Sequence, residues 1–271
     1  MRVRFVFCAA VFALALCSLA LAQRGFRGGF GGFYEDDYVP MPPDANEKTE
    51  YVFARLRYPS WRGPGMGGIW AYRGNWTIDY PKADRHFVSG VRRLTRIHTR
   101  SVEQIVDLES DEVYNWPWLY AVEPGHWDLT DAQARKLRDY LLRGGFLMTD
   151  DFHGTLEWQI FMASMSRVFP DRQVVDLDNK DAIFHVLYDL DERFQVPGVA
   201  TFGTGRTWEY DGVDPHWRGI CDDKGRIMVA ICHNMDLGDA WEHADHPNYP
   251  EKYTSLAYRI GINYIIYAMT H

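Results

Sequence analysis

The chain has 271 residues, 46% hydrophobic, 15% aromatic and 24% charged, a globular composition whose length suits one large domain or two small ones. Asp and Glu number 37 against 29 Lys and Arg, a formal net charge of -8, which excludes a general basic surface for nucleic acid. Arg92, Arg93 and Arg96 read as a solvated helix face instead.

Arg2 and Arg4 precede an apolar run from Phe5 to Leu21, and Ala20-Leu21-Ala22 is a small-x-small cleavage signature before Gln23. Residues 1–22 therefore read as a secretory signal peptide, which predicts an exported protein, periplasmic or extracellular. An uncleaved anchor is the alternative, although the run is short for a span; bulky Leu16 argues against a lipoprotein at Cys17. Residues 23–48 are glycine- and arginine-rich, then acidic, then proline-rich, and predict a flexible tether. Residues 49–271 are expected to form a single α/β domain.

Within it, Tyr51–Tyr58 predicts a first strand, followed by a long glycine- and tryptophan-rich loop through Trp76. A helix is expected from about Ala83 to Leu94, with Phe87, Val91 and Leu94 on one stripe. Ile105–Leu108 and Trp118–Val122 predict strands. Thr130 and Gln133 have capping-box spacing, Ala134, Leu137 and Leu141 make an apolar stripe, and Gly144-Gly145 ends that helix. Phe146-Leu147-Met148 predicts a strand buried on both faces. A helix from about Leu156 to Arg167, a strand at Val174-Val175 and a short helix over residues 180–187 follow. Asp222-Asp223-Lys224-Gly225 predicts a hairpin turn between strands at Arg218–Cys221 and Arg226–Cys232. A helix from Thr254 to Met269 closes the chain; Arg259 and its short length exclude a membrane span there. Strands alternating with helices predict a doubly wound, mostly parallel sheet with an antiparallel hairpin.

The domain keeps two cysteines. Centred on the hairpin, Cys221 faces about residue 227, leaving Cys232 roughly five residues further along, well beyond disulfide reach at about 3.3 Å per residue. Two free, buried thiols are expected.

Several stretches together carry a resemblance: Arg55-Leu56-x-Tyr58, Trp118-Leu119-Tyr120, Leu129 through Leu147 with Gly144-Gly145, Asp150-Asp151, Phe169-Pro170, Gly203-x-Gly205-Arg206, His233-Asn234-x-Asp236 and Gly261-Ile262-Asn263-Tyr264. Over about residues 50 to 271 the chain resembles the bacterial domain-of-unknown-function 4159 family. The resemblance implies a class I glutamine amidotransferase-like fold with flavodoxin-type layering, and no established activity. Amidotransferase chemistry needs a thiolate on a sharp strand-to-helix elbow, and the elbow here carries Thr149, Asp150 and Asp151.

Three polar clusters remain. Asp150, Asp151 and His153 follow the central strand, where paired carboxylates can divide acid and base roles and, with a histidine, bind a divalent metal. The bland alternative has Asp151 capping the next helix and Asp150 pairing with an arginine. His233, Asn234, Asp236 and Asp239 follow a later strand, with a polar turn as their alternative. His243-x-x-His246 with Glu242 makes a weaker metal pattern, since Pro247 and Pro250 favour a loop. The candidate catalytic residues are Asp150, Asp151 and His233; the candidate ligand-binding residues are His153, Asn234 and Asp236. The two strand-end clusters are expected to meet in one cleft at the C-terminal edge of the sheet, with at least one carboxylate pKa raised by a neighbouring charge. Tryptophans at 61, 70, 76, 116, 127, 208, 217 and 241 fall in loops, either as platforms for sugars or as a satellite core. Two functions follow: an envelope ligand-binding or assembly module lacking the amidotransferase cysteine, or a hydrolase of a glycan or related envelope polymer. The residues do not name a cofactor, metal, substrate or partner.

Overall fold

The computed structural model describes residues 41–60 and 74–271. The expected signal peptide, most of the expected tether and the middle of the glycine- and tryptophan-rich loop, with Trp61 and Trp70, lie outside the described residues.

Seven strands form one sheet: β1 (Ala54–Arg57), β2 (Gln104–Asp107), β3 (Trp118–Val122), β4 (Phe146–Asp150), β5 (Val175–Asp176), β6 (His216–Cys221) and β7 (Ile227–His233), in the order β2-β1-β3-β4-β7-β6-β5. The first five in that order are parallel, and β6 runs against both its neighbours. The second arm of the hairpin is thus the one that joins the parallel sheet.

β3, β4 and β7 are buried along their whole lengths, because helices cover both faces and such strands need no polar alternation. The helices are α1 (Lys82–Leu94), α2 (Asp131–Leu142), α3 (Gly154–Val168), α4 (Leu237–Glu242) and α5 (Glu251–Thr270). α2 and α3 pack together on one face, and α1, α4 and α5 on the other. Successive strand residues serve opposite layers: Leu119 and Ala121 join Leu137, Leu141 and Phe161 in one core. Trp118 and Tyr120 instead meet Phe53, and Phe87 and Trp241 close that aromatic cluster. Trp127 and Trp241 are fully buried and Trp217 nearly so, so these three build core rather than exposed platforms. Trp76, Trp116 and Trp208 are half-buried.

The capping box forms in both directions: the Gln133 amide N–H donates to Thr130 Oγ1 at 3.2 Å, and the Thr130 N–H to Gln133 Oε1 at 2.9 Å. Gly144 takes the left-handed conformation (φ 109°) that ends the helix. The hairpin closes through a left-handed Gly225, with Cys221 opposite Ile227.

The thiols of Cys221 and Cys232 are free, and both should label in unfolded, unreduced protein; failure of either to react would show a cross-link. Cys221 is half-buried rather than buried, because the ladder shifts register beside it, next to the turn.

Other expectations need correction as well. Residues 180–187 hold only a 3-10 turn, Ala182–Phe184. There the Phe184 and His185 N–H groups donate three residues back, to the Asp181 and Ala182 carbonyls, and the Phe184 carbonyl accepts from Leu190 N–H, so no α-helical ladder continues. Leu94 is exposed rather than on the buried stripe, since it ends α1, and Arg96 lies beyond that helix. The final strand of the edge, β5, starts at Val175 and is two residues long and exposed.

Residues 41–48, the end of the expected tether, include Asp44, which accepts hydrogen bonds from Ser101 and pairs with Arg92 at 2.6 Å.

Candidate functional site

All five parallel strands deliver their following loops to the same edge, and the two clusters meet there. β4 and β7 are neighbours. The Asp151 N–H donates to the Met235 carbonyl at 3.0 Å, and the Asn234 N–H to the Phe152 carbonyl at 2.9 Å. The Asn234 Oδ1 accepts from the Gly154 N–H at 2.8 Å. The two strand-end clusters therefore meet as strand order led one to expect, bonded to each other through their backbones.

The candidate residues divide by what they touch. Asp150 is fully buried. Its Oδ2 accepts from Leu237 N–H (2.8 Å), Gly238 N–H (2.9 Å) and the Tyr120 hydroxyl (3.1 Å). It anchors the start of α4, with no arginine involved. Burial pushes its pKa up to about 7.

Asp151 does not cap the next helix. The N-cap of α3 is His153, without a side-chain cap bond. Asp151 sits instead in the left-handed region (φ 55°) at the strand-to-helix turn, with Oδ1 3.2 Å from His153 Nε2. Burial, then the charges of Glu123, Asp79, Asp239 and Asp150, push its carboxyl well above the usual range.

His233 packs at a tilt against Trp158 and Phe152 and stacks on His216. Its Nε2 lies 3.2 Å from the Gly154 carbonyl, and the Arg218 guanidinium approaches Nδ1 at 3.4 Å. Burial lowers its pKa to about 4 and that of His153 to about 3, so both imidazoles are neutral at pH 7. Asn234 bonds across to Gly154 and Asp214 rather than locally. Asp236 takes the N-cap of α4, accepting the Asp239 N–H at 2.7 Å.

The third cluster splits. His243 Nε2 lies 3.5 Å from Asp239 and 3.3 Å from Glu242. Burial opposes its charge, but those two carboxylates prevail and raise it to about 9. His246 is half-buried, with its Nδ1 accepting the Asn248 N–H at 3.2 Å.

The sequence reading missed Asp79, Glu123, His126, Glu157 and Glu209. Glu123 directly follows β3, and a carboxylate at that position was a readable signal. Its Oε2 accepts from Asn75 Nδ2 and lies 3.4 Å from His126 Nδ1. Glu157 Oε1 lies 3.6 Å from His126 Nε2, while its Oε2 accepts the His153 N–H. Glu157 sits on α3, one turn past the elbow. Burial raises Glu123 to about 8, with the charges of Glu157, Glu209 and Asp239 adding, and Glu157 to about 7, with that of Glu209 adding.

Around Gly198 three acids converge: a β-carbon there would stand 2.6 Å from Asp236 Oδ2, 3.0 Å from Glu209 Oε1 and 3.3 Å from Asp239 Oδ2. Asp79 and Glu209 arrive from loops whose path no local pattern reveals.

Backbone strain gathers at the same edge. The left-handed non-glycine residues among the described residues are Asp79, Glu123, Asp151, Tyr210 and Asn234, and such strain collects at functional sites. Tyr210 is 72% exposed. Burial, then the charges of Glu157, Glu209, Glu123 and Asp151, raise its phenol's pKa.

Against known proteins, the chain matches the family model described as Domain of unknown function (DUF4159) over residues 52–269. No curated protein matches it.

Proposed function

The chain belongs to the DUF4159 family, and we propose that it is an exported hydrolase of a glycan or related envelope polymer, working by acid–base chemistry from paired carboxyls. The observation that carries this reading is Asp151: a raised carboxyl in a strained turn at the end of the central strand, where related architectures hold a reactive side chain.

In this mechanism Glu157, raised to about 7, takes a proton from water as the hydroxyl adds to the substrate. Protonated Asp151 gives its proton to the departing oxygen. Proton exchange with solvent restores both groups. A base with a pKa near the working pH and a carboxyl raised enough to carry a proton are suited to these roles. The exposed ring of Tyr210 offers a face for a sugar ring beside them. Export rests on the N-terminal composition.

We also propose that the fold is of the flavodoxin and class I amidotransferase-like type. The parallel strands β2-β1-β3-β4-β7 repeat the 2-1-3-4-5 order of that class. β1 and β3 then flank the switch point, and Glu123 stands at its mouth. Among the described residues no helix is long and apolar enough to cross a membrane.

A ligand-binding or assembly module is the second reading, favoured by the elbow's lack of a cysteine and by the complete burial of Asp150. Screening the purified domain on envelope polysaccharides separates the two. Turnover that falls about 10²-fold or more in Asp151→Asn and in Glu157→Gln, with an unchanged melting temperature, supports the hydrolase. Binding without turnover leaves the module. Asparagine is a fair probe at position 151 because it accepts the left-handed conformation as readily as aspartate.

A further inference from the structure

The carboxylates at this edge repel one another with little cationic compensation. Arg55 lies within electrostatic reach of Asp79, but its guanidinium is committed to Asp84 and to the carbonyls of Trp76 and Ile78. His243 serves the far side, between Asp239 and Glu242.

On the near side, Asp79, Asp236 and Asp239 each present an oxygen, all within 4.8 Å of one another. A metal bound at about 2.0–2.6 Å requires ligand oxygens no more than about 5 Å apart.

A second observation points to the same place. Asp79 Oδ2 and Asp150 Oδ1 are closed off from solvent and have no hydrogen-bond partner, and Asp150 is 0% exposed. Both carboxylates border Gly238. Asp150 receives its N–H, while Asp79 Oδ2 lies so close to its α-carbon that a β-carbon would collide with it. Asp236 Oδ1 lies 3.5 Å from that same β-carbon position. An oxygen buried without a donor costs free energy unless a cation or proton meets it.

We propose that Asp79, Asp236 and Asp239 hold one divalent metal cation of the oxygen-preferring class, Mg²⁺, Mn²⁺ or Ca²⁺, with Asp150 and the start of α4 as the floor of the site. The all-carboxylate set selects hard cations over zinc, which favours nitrogen and sulfur. The ion deepens the hydrolytic reading in that it occupies the same edge, where it would neutralise the acids and draw substrate oxygens toward Asp151. Its binding is measurable without turnover.

The test is calorimetric titration of the chelator-treated full chain with MgCl₂, MnCl₂ and CaCl₂. One ion per chain is expected in the wild type. Asp79→Asn, whose left-handed backbone asparagine tolerates, should weaken binding about tenfold or more. Gly238→Ala keeps every carboxylate but crowds Asp79 and should weaken it as well; melting curves confirm that both variants fold. Glu157→Gln should bind the ion as wild type does even though it disables the proposed hydrolysis, so the two readings fail separately. Absence of binding at millimolar metal, or wild-type binding in both Asp79→Asn and Gly238→Ala, overturns the site.

Discussion

Arg55→Ala should cost about 3–5 kcal/mol of folding stability, the range for breaking a buried ion pair by removing one partner. Arg55 and Asp84 are both fully buried. The guanidinium Nε lies 2.8 Å from Asp84 Oδ2, Nη2 also pairs with that carboxylate, and Nη1 donates to the Trp76 and Ile78 carbonyls at 3.0 Å each. Truncation leaves a carboxylate and two carbonyls without donors in the core. Arg55→Lys should rescue little, since one ammonium cannot reproduce a planar fork that reaches all of them. The double variant Arg55→Met with Asp84→Leu should be far milder than either single change, because it removes the charge together with its partner. Urea unfolding of the three variants is the check, and a loss below about 1 kcal/mol for Arg55→Ala would contradict the argument. Ile78 immediately precedes Asp79, so the same substitution should also loosen that arm of the acidic edge.

The second large effect is on pH. In chelated protein, stability should rise as pH falls from about 8 to about 6.5, the reverse of the usual carboxylate behaviour. Glu123 at about 8, Asp150 at about 7 and Glu157 at about 7 all bind a proton more readily folded than unfolded. Across the interval between each unfolded and folded pKa, the native state therefore holds the extra proton, and stability drops as pH rises. His243, raised to about 9, acts in the same sense: its contribution is complete below about 6.5 and is lost as pH climbs through 9. Each fully differential group is worth about 1.4 kcal/mol per pH unit. Below about 6.5 the neutral, buried His153 and His233 begin to oppose this, because the unfolded chain binds their protons and the folded one does not until about 3 and 4. Three raised carboxyls outnumber two histidines, so the gain should slow below about 6.5 and end only near the unfolded carboxylate pKa values, about 4 to 4.5. A monotonic gain from pH 6 to pH 9 would show that the acids of the edge remain ionised in the folded protein. Glu123→Gln should flatten the slope between pH 7 and pH 8 more than Asp150→Asn or Glu157→Gln, since folded Glu123 still holds most of its proton there.

The strongest local signals survived folding because they are satisfied within a few residues. Thr130 and Gln133 cap each other, Gly144 turns left-handed, and Gly225 sets the register that keeps Cys221 and Cys232 apart. Where the chain tightens to bonds three residues back, as at Ala182–Phe184, the helical period misled. The functional assignments of Asp150 and Asp151 needed more than position: one carboxylate is consumed in anchoring α4, and its neighbour, one residue on, turns left-handed into the acidic edge.

The sequence by itself determined the alternation of strands and helices, the family resemblance, and the placing of Asp150, Asp151, His233 and Asp236 at strand ends. Those features depend on periodicity and on residues in consecutive positions. Only the tertiary structure decided that Asp79, Glu123, Glu157 and Glu209 share one edge with them. Asp79, Glu123 and Glu209 come from separate connections of the sheet and Glu157 from the first turn of α3, and parallel pairing brings together residues that are far apart in the chain. The raised carboxyls follow from that meeting, because burial and like charge act through space rather than along the backbone.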